Sequence, residues 1–518
     1  MAATAAAKAS APPRSSTAPA SLRRGGWLLV ALIAGGAALR FSTLGLQSLW
    51  YDEAFGPVHL FNGSFGHLLS ELPRTENTPP LWYVLEWVVV QALGRGAVAL
   101  RLLSAVAGTA LIPVAWLFGE ELGGRRAAAI CAALIAASPL FFWYSQEARA
   151  YSLYTLAVGL CFYLFLRAER LPTASRANAF GVAGALALLT HYFAAFLVVP
   201  MALYLNRSRD RRRACYPALL WVFGCGVALL PLAVAQGGRG AEWIASMSLA
   251  GRLEAIPQYY LTGYSGAPLG HGIELAVALP ALAGLALGLP RLGEAVAPAG
   301  PGWRPFGLAL GIAACGALIP LALVGFGQDF FDPRNVIGAL VVGSGALAVA
   351  LAAVRPRWLG DGLAVAAVGA LLAVSVAIDF DHRLQRGDWS GLATLIANQR
   401  ARLGLDREPL LITTVHLGSA PLRYYLPGAA PPQATPRTRA LAEVGYAPLR
   451  SNSQAPPLAG FLLRYRGSVH GLDLLLFVAA RPQPVAQAAL IAKPLTPQAG
   501  KPQLLVVPPD DLPSNSGQ

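Results

Sequence analysis

Pro79-Pro80-Leu81-Trp82-Tyr83-Val84-Leu85-Glu86-Trp87-Val88-Val89-Val90-Gln91-Ala92-Leu93 is the stretch on which the fold turns. It is apolar enough for lipid, yet short, and Glu86 interrupts it, so taken alone it reads either as a brief span or as a helix lying in the interface. Crossing the hydrocarbon core takes roughly 20 apolar residues. The arginines around the stretch decide between the two. Arg23-Arg24 precede the first apolar run, 27–46. Arg125-Arg126 follow the run 98–122, and Arg167, Arg170 and Arg176 follow 151–166. Arg207, Arg209 and Arg211-Arg212-Arg213 follow 194–205, and Arg355 and Arg357 follow 337–354. Cytoplasmic loops retain Arg and Lys. If all these clusters are cytoplasmic, residues 79–93 do not cross, and they form an interfacial helix inside a first external loop, 47–97.

Composition supports a lipid solvent. Of the 518 residues, 55% are apolar and 13% charged, and mean hydropathy is +0.51; soluble chains carry about 25% charged residues. A net charge of +14 would suggest nucleic acid in a soluble protein. Here the charge is mostly arginine in short clusters between apolar runs, without a basic stripe interleaved with aromatics, which argues against nucleic acid. Cys131, Cys161, Cys215, Cys225 and Cys315 all fall in apolar stretches and imply no disulfide framework.

The same logic threads the rest of the chain. Residues 1–24, rich in Ala, Ser, Thr and Pro, read as a disordered cytoplasmic tail, and the first run as a retained signal anchor. Residues 177–205 split into two short helices that meet outside near His191-Tyr192. Segments 145–150, 236–270 and 325–334 also fall outside, and a last span, 363–378, exits outward. The expected fold is a polytopic α-helical membrane protein with about eleven transmembrane helices over 25–380. A small extracytoplasmic α/β domain follows, 381–518. In it, 389–403 and 422–426 read as helices and 409–415, 461–465 and 472–480 as strands. Residues 428–436 and 482–518 read as loops or disorder.

Charged side chains near a bilayer are costly and tend to mark function. Asp52 and Glu53 stand in Ser48-Leu49-Trp50-Tyr51-Asp52-Glu53-Ala54, just after the first span. Glu76 and Asn77 precede Thr78-Pro79-Pro80, and Glu147 and Arg149 lie in Tyr144-Ser145-Gln146-Glu147-Ala148-Arg149-Ala150-Tyr151. His191-Tyr192 cap the helical pair, and Arg334 follows Asp332-Pro333. Each has a plainer reading. An Asp-Glu pair after a span is often a solvated helix start, Glu147 and Arg149 can neutralise each other, and a lone His is more often structural. Arg334 can be an interfacial anchor. Their assignment to one outer face favours a site.

Ser-Leu-Trp-Tyr-Asp-Glu-Ala, Thr-Pro-Pro-Leu-Trp-Tyr, Ala-Leu-Arg-Leu-Leu-Ser-Ala (99–105) and Tyr-Ser-Gln-Glu-Ala-Arg-Ala-Tyr, in this order and spacing, resemble the GT-C glycosyltransferases. The closer likeness is to the family 39-related branch, with its protein O-mannosyltransferases, aminoarabinose transferases and bacterial mannosyltransferase-like membrane proteins. The resemblance is strong over 40–200 and thins through 380. It implies an enzyme that moves a sugar from a polyprenyl phosphate to a glycan, lipid or protein acceptor at the outer face of the cytoplasmic membrane, with inversion. On that resemblance Asp52 is the catalytic base, Glu53 and Glu147 support it, and Arg334 and Arg149 meet the donor phosphate. His191, Tyr192, Glu76, Asn77, Trp50 and Tyr51 then line the substrates. A divalent cation (Mg, Mn or Zn) on Asp52, Glu53 and Glu147 is an open expectation. The family's usual His before Pro-Pro-Leu is Thr78 here, so the role of that His is lost or moved, with Asn77 or Glu76 as candidates. The rival readings are a non-catalytic assembly factor of the same fold and a lipid or solute transporter. A transporter predicts internal repeats and mid-membrane charges, and neither is evident.

Overall fold

A computed structural model describes residues 21–237, 244, 247–294, 302–449, 456–492, 495 and 501–509. The expected tail lies largely outside this set, as does the extreme C-terminus, but Ser21 to Arg24 already belong to the first helix, α1 (Ser21–Phe41).

Long apolar runs form the helices. Among the described residues six are long and apolar enough to cross a membrane: Ala97–Ala137, Tyr151–Arg170, Arg209–Gln236, Ala267–Gly293, Trp303–Val324 and Arg357–Phe380. Shorter apolar helices include Gly26–Phe41, Leu81–Leu93, Tyr192–Leu205 and Ile337–Ala353. The chain is a multi-pass membrane protein. Leu81–Leu93 has 13 residues; at about 1.5 Å per residue it falls short of a hydrocarbon core of about 30 Å.

Between α1 and the next long helix lie three helices: α2 (Tyr51–Phe55), prolonged by a π-helical turn Gly56–Leu60, α3 (Phe65–Thr75) and α4 (Leu81–Leu93). The helix α5 (Ala97–Ala137) is two helices in one, broken at Gly123-Gly124. Gly124 has φ +75°, a left-handed conformation that suits glycine, and Arg125-Arg126 begin the return. Arg40 at the end of α1 is completely buried. It donates to the carbonyls of Ile135 and Ala136 at 3.2 and 3.1 Å and to Ser145 Oγ at 3.0 Å. It thereby satisfies carbonyls that the end of α5 leaves unpaired. Elsewhere small residues let helices approach, as expected within lipid. A Cβ on Gly288 would lie 2.1 Å from the Ala350 carbonyl oxygen.

The chain beyond the last long helix folds as an α/β unit. Its described residues form five strands, β1 (Leu410–Thr414), β2 (Arg437–Tyr446), β3 (Phe461–Val469), β4 (Leu472–Pro484) and β5 (Gln503–Val507), in the order β3-β4-β2-β1-β5. β1 and β2 run parallel and the other pairs antiparallel. Helices Trp389–Arg402 and Ser419–Tyr425 precede and follow β1. Two strands escape the sequence pattern. β5 lies within the stretch expected as loop or disorder, since Leu504-Leu505-Val506-Val507 is a short apolar run among prolines that becomes a strand by pairing with β1. β2 carries Ala440, Ala442, Glu443 and Gly445, poor strand formers, and owes its conformation to partners on both sides.

Candidate active site

Asp52 and Glu53 are neighbours in α2, and the helix turns them to different surroundings. The Glu53 side chain is 0% exposed and that of Asp52 18%. Arg101, in the first turns of α5, grips Glu53 with two hydrogen bonds, Nε to Oε1 and Nη2 to Oε2, each 2.7 Å. The same guanidinium donates to the carbonyls of Leu44, Gln47 and Ser48 at 2.9, 2.8 and 3.1 Å. It thus closes the turn after α1 and anchors α2. Ala148 N–H donates to Glu53 Oε1 at 3.0 Å, which ties the loop before Tyr151 to the same point.

Arg386, just before the α/β unit, extends this network. Its Nη2 donates to Glu147 Oε2 at 3.1 Å and its Nε lies 3.8 Å from Glu53 Oε2. Its guanidinium carbon sits 4.0 Å from the centroid of the Trp143 ring, a cation–π distance. Its backbone N–H donates to Gln47 Oε1 at 3.0 Å, and Trp143 Nε1 donates to Glu147 Oε2 at 3.1 Å. Burial pushes the Glu147 carboxyl up to about 7 against the pull of Arg386, with Glu53 and Asp52 adding to the rise. Burial acts upward on Glu53 too, but Arg101 and Arg386 outweigh it and hold that carboxyl below its usual range.

The second cluster is more open. Arg334, in the turn before Ile337–Ala353, donates from Nη1 to Asp52 Oδ2 at 3.0 Å. Its Nε lies 3.4 Å from Asp332 Oδ1, which also accepts the Arg334 backbone N–H at 3.0 Å. Both side chains of the Asp52–Arg334 pair keep some access to solvent, 18% and 15% exposed. Tyr51, Tyr264 and Tyr446 stand around it, half-buried.

The remaining expected residues fall into supporting places. Arg149 makes two contacts to Glu76, at 3.2 and 3.4 Å. Tyr83 donates to Glu76 Oε2, and Thr78 Oγ1 lies 2.8 Å from the Tyr83 hydroxyl. Thr78 thus belongs to the Tyr83–Glu76–Arg149 chain. Asn77 is exposed. His191 is 3% exposed and stacks on Tyr154 at 4.7 Å. Burial, with Arg334 and Arg149 nearby, drives it down to about 3, so it is neutral, and its Nδ1 accepts the Phe193 N–H at 3.3 Å. That nitrogen caps the short turn Tyr192–Ala194. Tyr192 donates to Gln236 Oε1 at 2.8 Å, and the Gln236 amide reaches the carbonyls of Leu72 and Thr78. Trp50 is 5% exposed and joins the apolar core of the α/β unit.

The expected cation set is engaged mostly with arginines. Both Glu53 oxygens are held by Arg101, and Glu147 Oε2 by Arg386 and Trp143, while Glu147 Oε1 is buried without a hydrogen-bond partner. Among the described residues no group of three or more His, Cys, Asp or Glu could hold an ion.

Arg101, Arg386, Gln47, Trp143, Tyr264 and Tyr446 received no role from the sequence. A signal existed for Arg101, since an arginine inside an apolar helix requires a partner. Arg386 and Tyr446 acquire their places only through docking of the α/β unit.

Comparison with known proteins fits this geometry. Residues 77–235 match the family described as dolichyl-phosphate-mannose-protein mannosyltransferase. The structure of ArnT from Cupriavidus metallidurans in the apo state aligns at TM-score 0.57 and 15% identity, over 89% of this chain and 100% of that one. The same enzyme bound to undecaprenyl phosphate aligns at TM-score 0.55 and 16% identity, with the same shares covered. This is the GT-C glycosyltransferase fold. The likeness read from the four sequence motifs therefore extends over the chain's architecture, including the α/β unit. No curated protein matches the chain by sequence.

Proposed function

We propose that the protein is an inverting glycosyltransferase of the cytoplasmic membrane, which moves a sugar from a polyprenyl phosphate to an acceptor at the outer face. The observation that carries this reading is the Asp52–Arg334 pair, 3.0 Å apart and partly accessible to solvent, drawn from segments 282 residues apart. A fold alone does not give a function; an accessible carboxylate beside an accessible guanidinium is what this displacement needs.

The acceptor hydroxyl gives its proton to the Asp52 carboxylate as its oxygen attacks the anomeric carbon. The bond from that carbon to the phosphate oxygen breaks, and its electron pair leaves with the polyprenyl phosphate. Arg334 stabilises the charge on that phosphate through charge-assisted hydrogen bonds. In the free protein the same guanidinium holds Asp52. The arriving phosphate takes over Arg334 and leaves the carboxylate to the acceptor. Glu53 and Glu147 position this machinery through Arg101 and Arg386, and no step runs through a metal.

The orientation follows from charge. Eleven crossings with a cytoplasmic N-terminus put the arginine clusters inside and the α/β unit outside. Ion pairs among those clusters support it: Arg126 to Asp361 at 2.8 Å, Arg170 to Glu121 at 3.1 Å, and Arg207 and Arg304 to Glu169 at 3.2 and 2.6 Å.

Incubating the purified protein with polyprenyl-phosphate-linked arabinose, mannose, glucose and an amino sugar tests the proposal. Chromatography should detect free polyprenyl phosphate with at least one donor. Intact donors throughout, for a protein that still binds undecaprenyl phosphate, would favour the non-catalytic reading.

A further inference from the structure

The wall beside Asp52 is aromatic, and one of its members comes from the α/β unit. Tyr446 is the last residue of β2, which runs parallel to β1. The crevice outside the carboxyl ends of parallel strands is a common place for ligands in α/β sheets. Here that end faces the first loop. The Tyr446 ring lies 6.4 Å from Tyr51, edge-on, and Tyr51 lies 4.5 Å from Trp50. Trp50 in turn meets Tyr264 at 5.6 Å. Trp389 braces Tyr446 from behind at 6.0 Å, and Gly387 passes so close that a Cβ there would lie 3.3 Å from its ring.

We propose that Tyr446, Tyr51 and Tyr264 form the acceptor subsite, and that the acceptor they take is an uncharged sugar ring. This rests on the glycosyltransferase reading and adds the class of acceptor to it.

Three features of the wall select that ligand. First, the three tyrosines pack against the core of the α/β unit yet stay half-buried, while the neighbouring Glu53, Glu147 and Arg386 are sealed, so part of each tyrosine, like Asp52, remains within reach of solvent. Second, each ring offers an apolar face and a phenol, which suits a pyranose with an apolar C–H face and hydroxyls at its rim. Burial, with the Asp52 charge among those acting on each, raises all three phenols, so they remain hydrogen-bond donors. Third, the surrounding cations are already assigned: Arg101 and Arg386 to Glu53 and Glu147, Arg149 to Glu76. A phosphorylated acceptor would have to compete with the donor phosphate for Arg334. A peptide would find rings and phenols there, whereas its backbone is best held by an open strand edge.

Saturation-transfer NMR on the full-length protein in nanodiscs tests this with methyl hexopyranosides, a hexose phosphate and a Ser/Thr peptide as probes. Saturation should reach the ring protons of a methyl glycoside, fall in Tyr446→Leu and persist in Tyr446→Phe. Where transfer to the glycoside is measured, Tyr446→Leu should raise its KM by roughly three- to tenfold, with undecaprenyl phosphate affinity unchanged. A merely structural Tyr446 would lower stability without moving KM. Equal saturation in wild type and Tyr446→Leu, or saturation of the peptide or the hexose phosphate in place of the glycosides, would overturn the inference. Donor cleavage in the absence of glycoside binding would remove the acceptor class alone. Glycoside binding at Tyr446 without cleavage of any donor would remove the glycosyltransferase reading alone.

Discussion

Glu53 and Asp52 are adjacent in sequence, carry the same functional group, and have opposite fates. Glu53 is enclosed with two hydrogen bonds to Arg101, in a network that continues through Arg386 to Glu147. Asp52 faces accessible space with a single bond to Arg334. A buried carboxylate gripped on both oxygens cannot reach a substrate, but it can fix the helix that carries its neighbour. A partly accessible carboxylate with one exchangeable partner can do chemistry. The difference divides the acidic motif into an anchor and a reactive group, and each half answers to a different measurement.

Breaking the anchor has the largest expected effect on folding. Arg101→Ala leaves Glu53 buried without its main partner, which costs about 3–5 kcal/mol, read as a large drop in melting temperature in detergent. Replacing both partners by leucine should restore much of that stability. A single variant that melts like wild type would contradict the anchor.

Breaking the open pair should do the reverse. Arg334→Ala removes charge-assisted hydrogen bonds to the donor, so its KM should rise by roughly 10- to 100-fold while the melting temperature stays close to wild type. Unchanged donor dependence would remove Arg334 from the phosphate site.

The far end of the sealed network titrates. Glu147, raised to about 7 from the ordinary 4.5, keeps its proton in the folded protein over a range where the unfolded chain has released it. The unfolded chain therefore binds fewer protons, and this group's contribution to stability falls as pH rises from 4.5 to 7 and is level above. Difference infrared spectroscopy should show a protonated carboxyl band that fades with a midpoint near 7 and is missing in Glu147→Gln. Arg386→Gln should move the midpoint upward, because Arg386 opposes the rise. A midpoint that stays in place would take Arg386 out of the network's electrostatics.

The smallest effect belongs to Tyr192→Phe, which removes one hydrogen bond to Gln236 and should cost about 0.5–1.5 kcal/mol. Thermal melting reads it, and a strong loss of transfer with normal stability would return Tyr192 to the substrates.

Much of the architecture was legible because lipid imposes simple rules. Arginine clusters argued that residues 79–93 stay on one side, and a helix of 13 residues lies there. The loop motifs led to the acids that gather in the structure, and the resemblance they carried is to the fold observed. What stayed hidden depends on distant partners. Nothing in Asp52-Glu53 tells which one is sealed, because the answer lies in Arg101, 48 residues away, and in Arg386. The stack of His191 on Tyr154 and its cap to Phe193 are likewise set by the fold and not by the His191-Tyr192 pair itself. β5 hid among prolines because its strand character comes from pairing with β1.

The most direct test is the transfer rate of Asp52→Asn in reconstituted protein, taken together with its melting temperature and its affinity for undecaprenyl phosphate. Transfer should fall by roughly 10²- to 10⁴-fold, the usual share of a general base, while stability and polyprenyl phosphate binding hold. Transfer near the wild-type rate by a folded Asp52→Asn protein would contradict the division between Asp52 and Glu53 and reopen the search for the base.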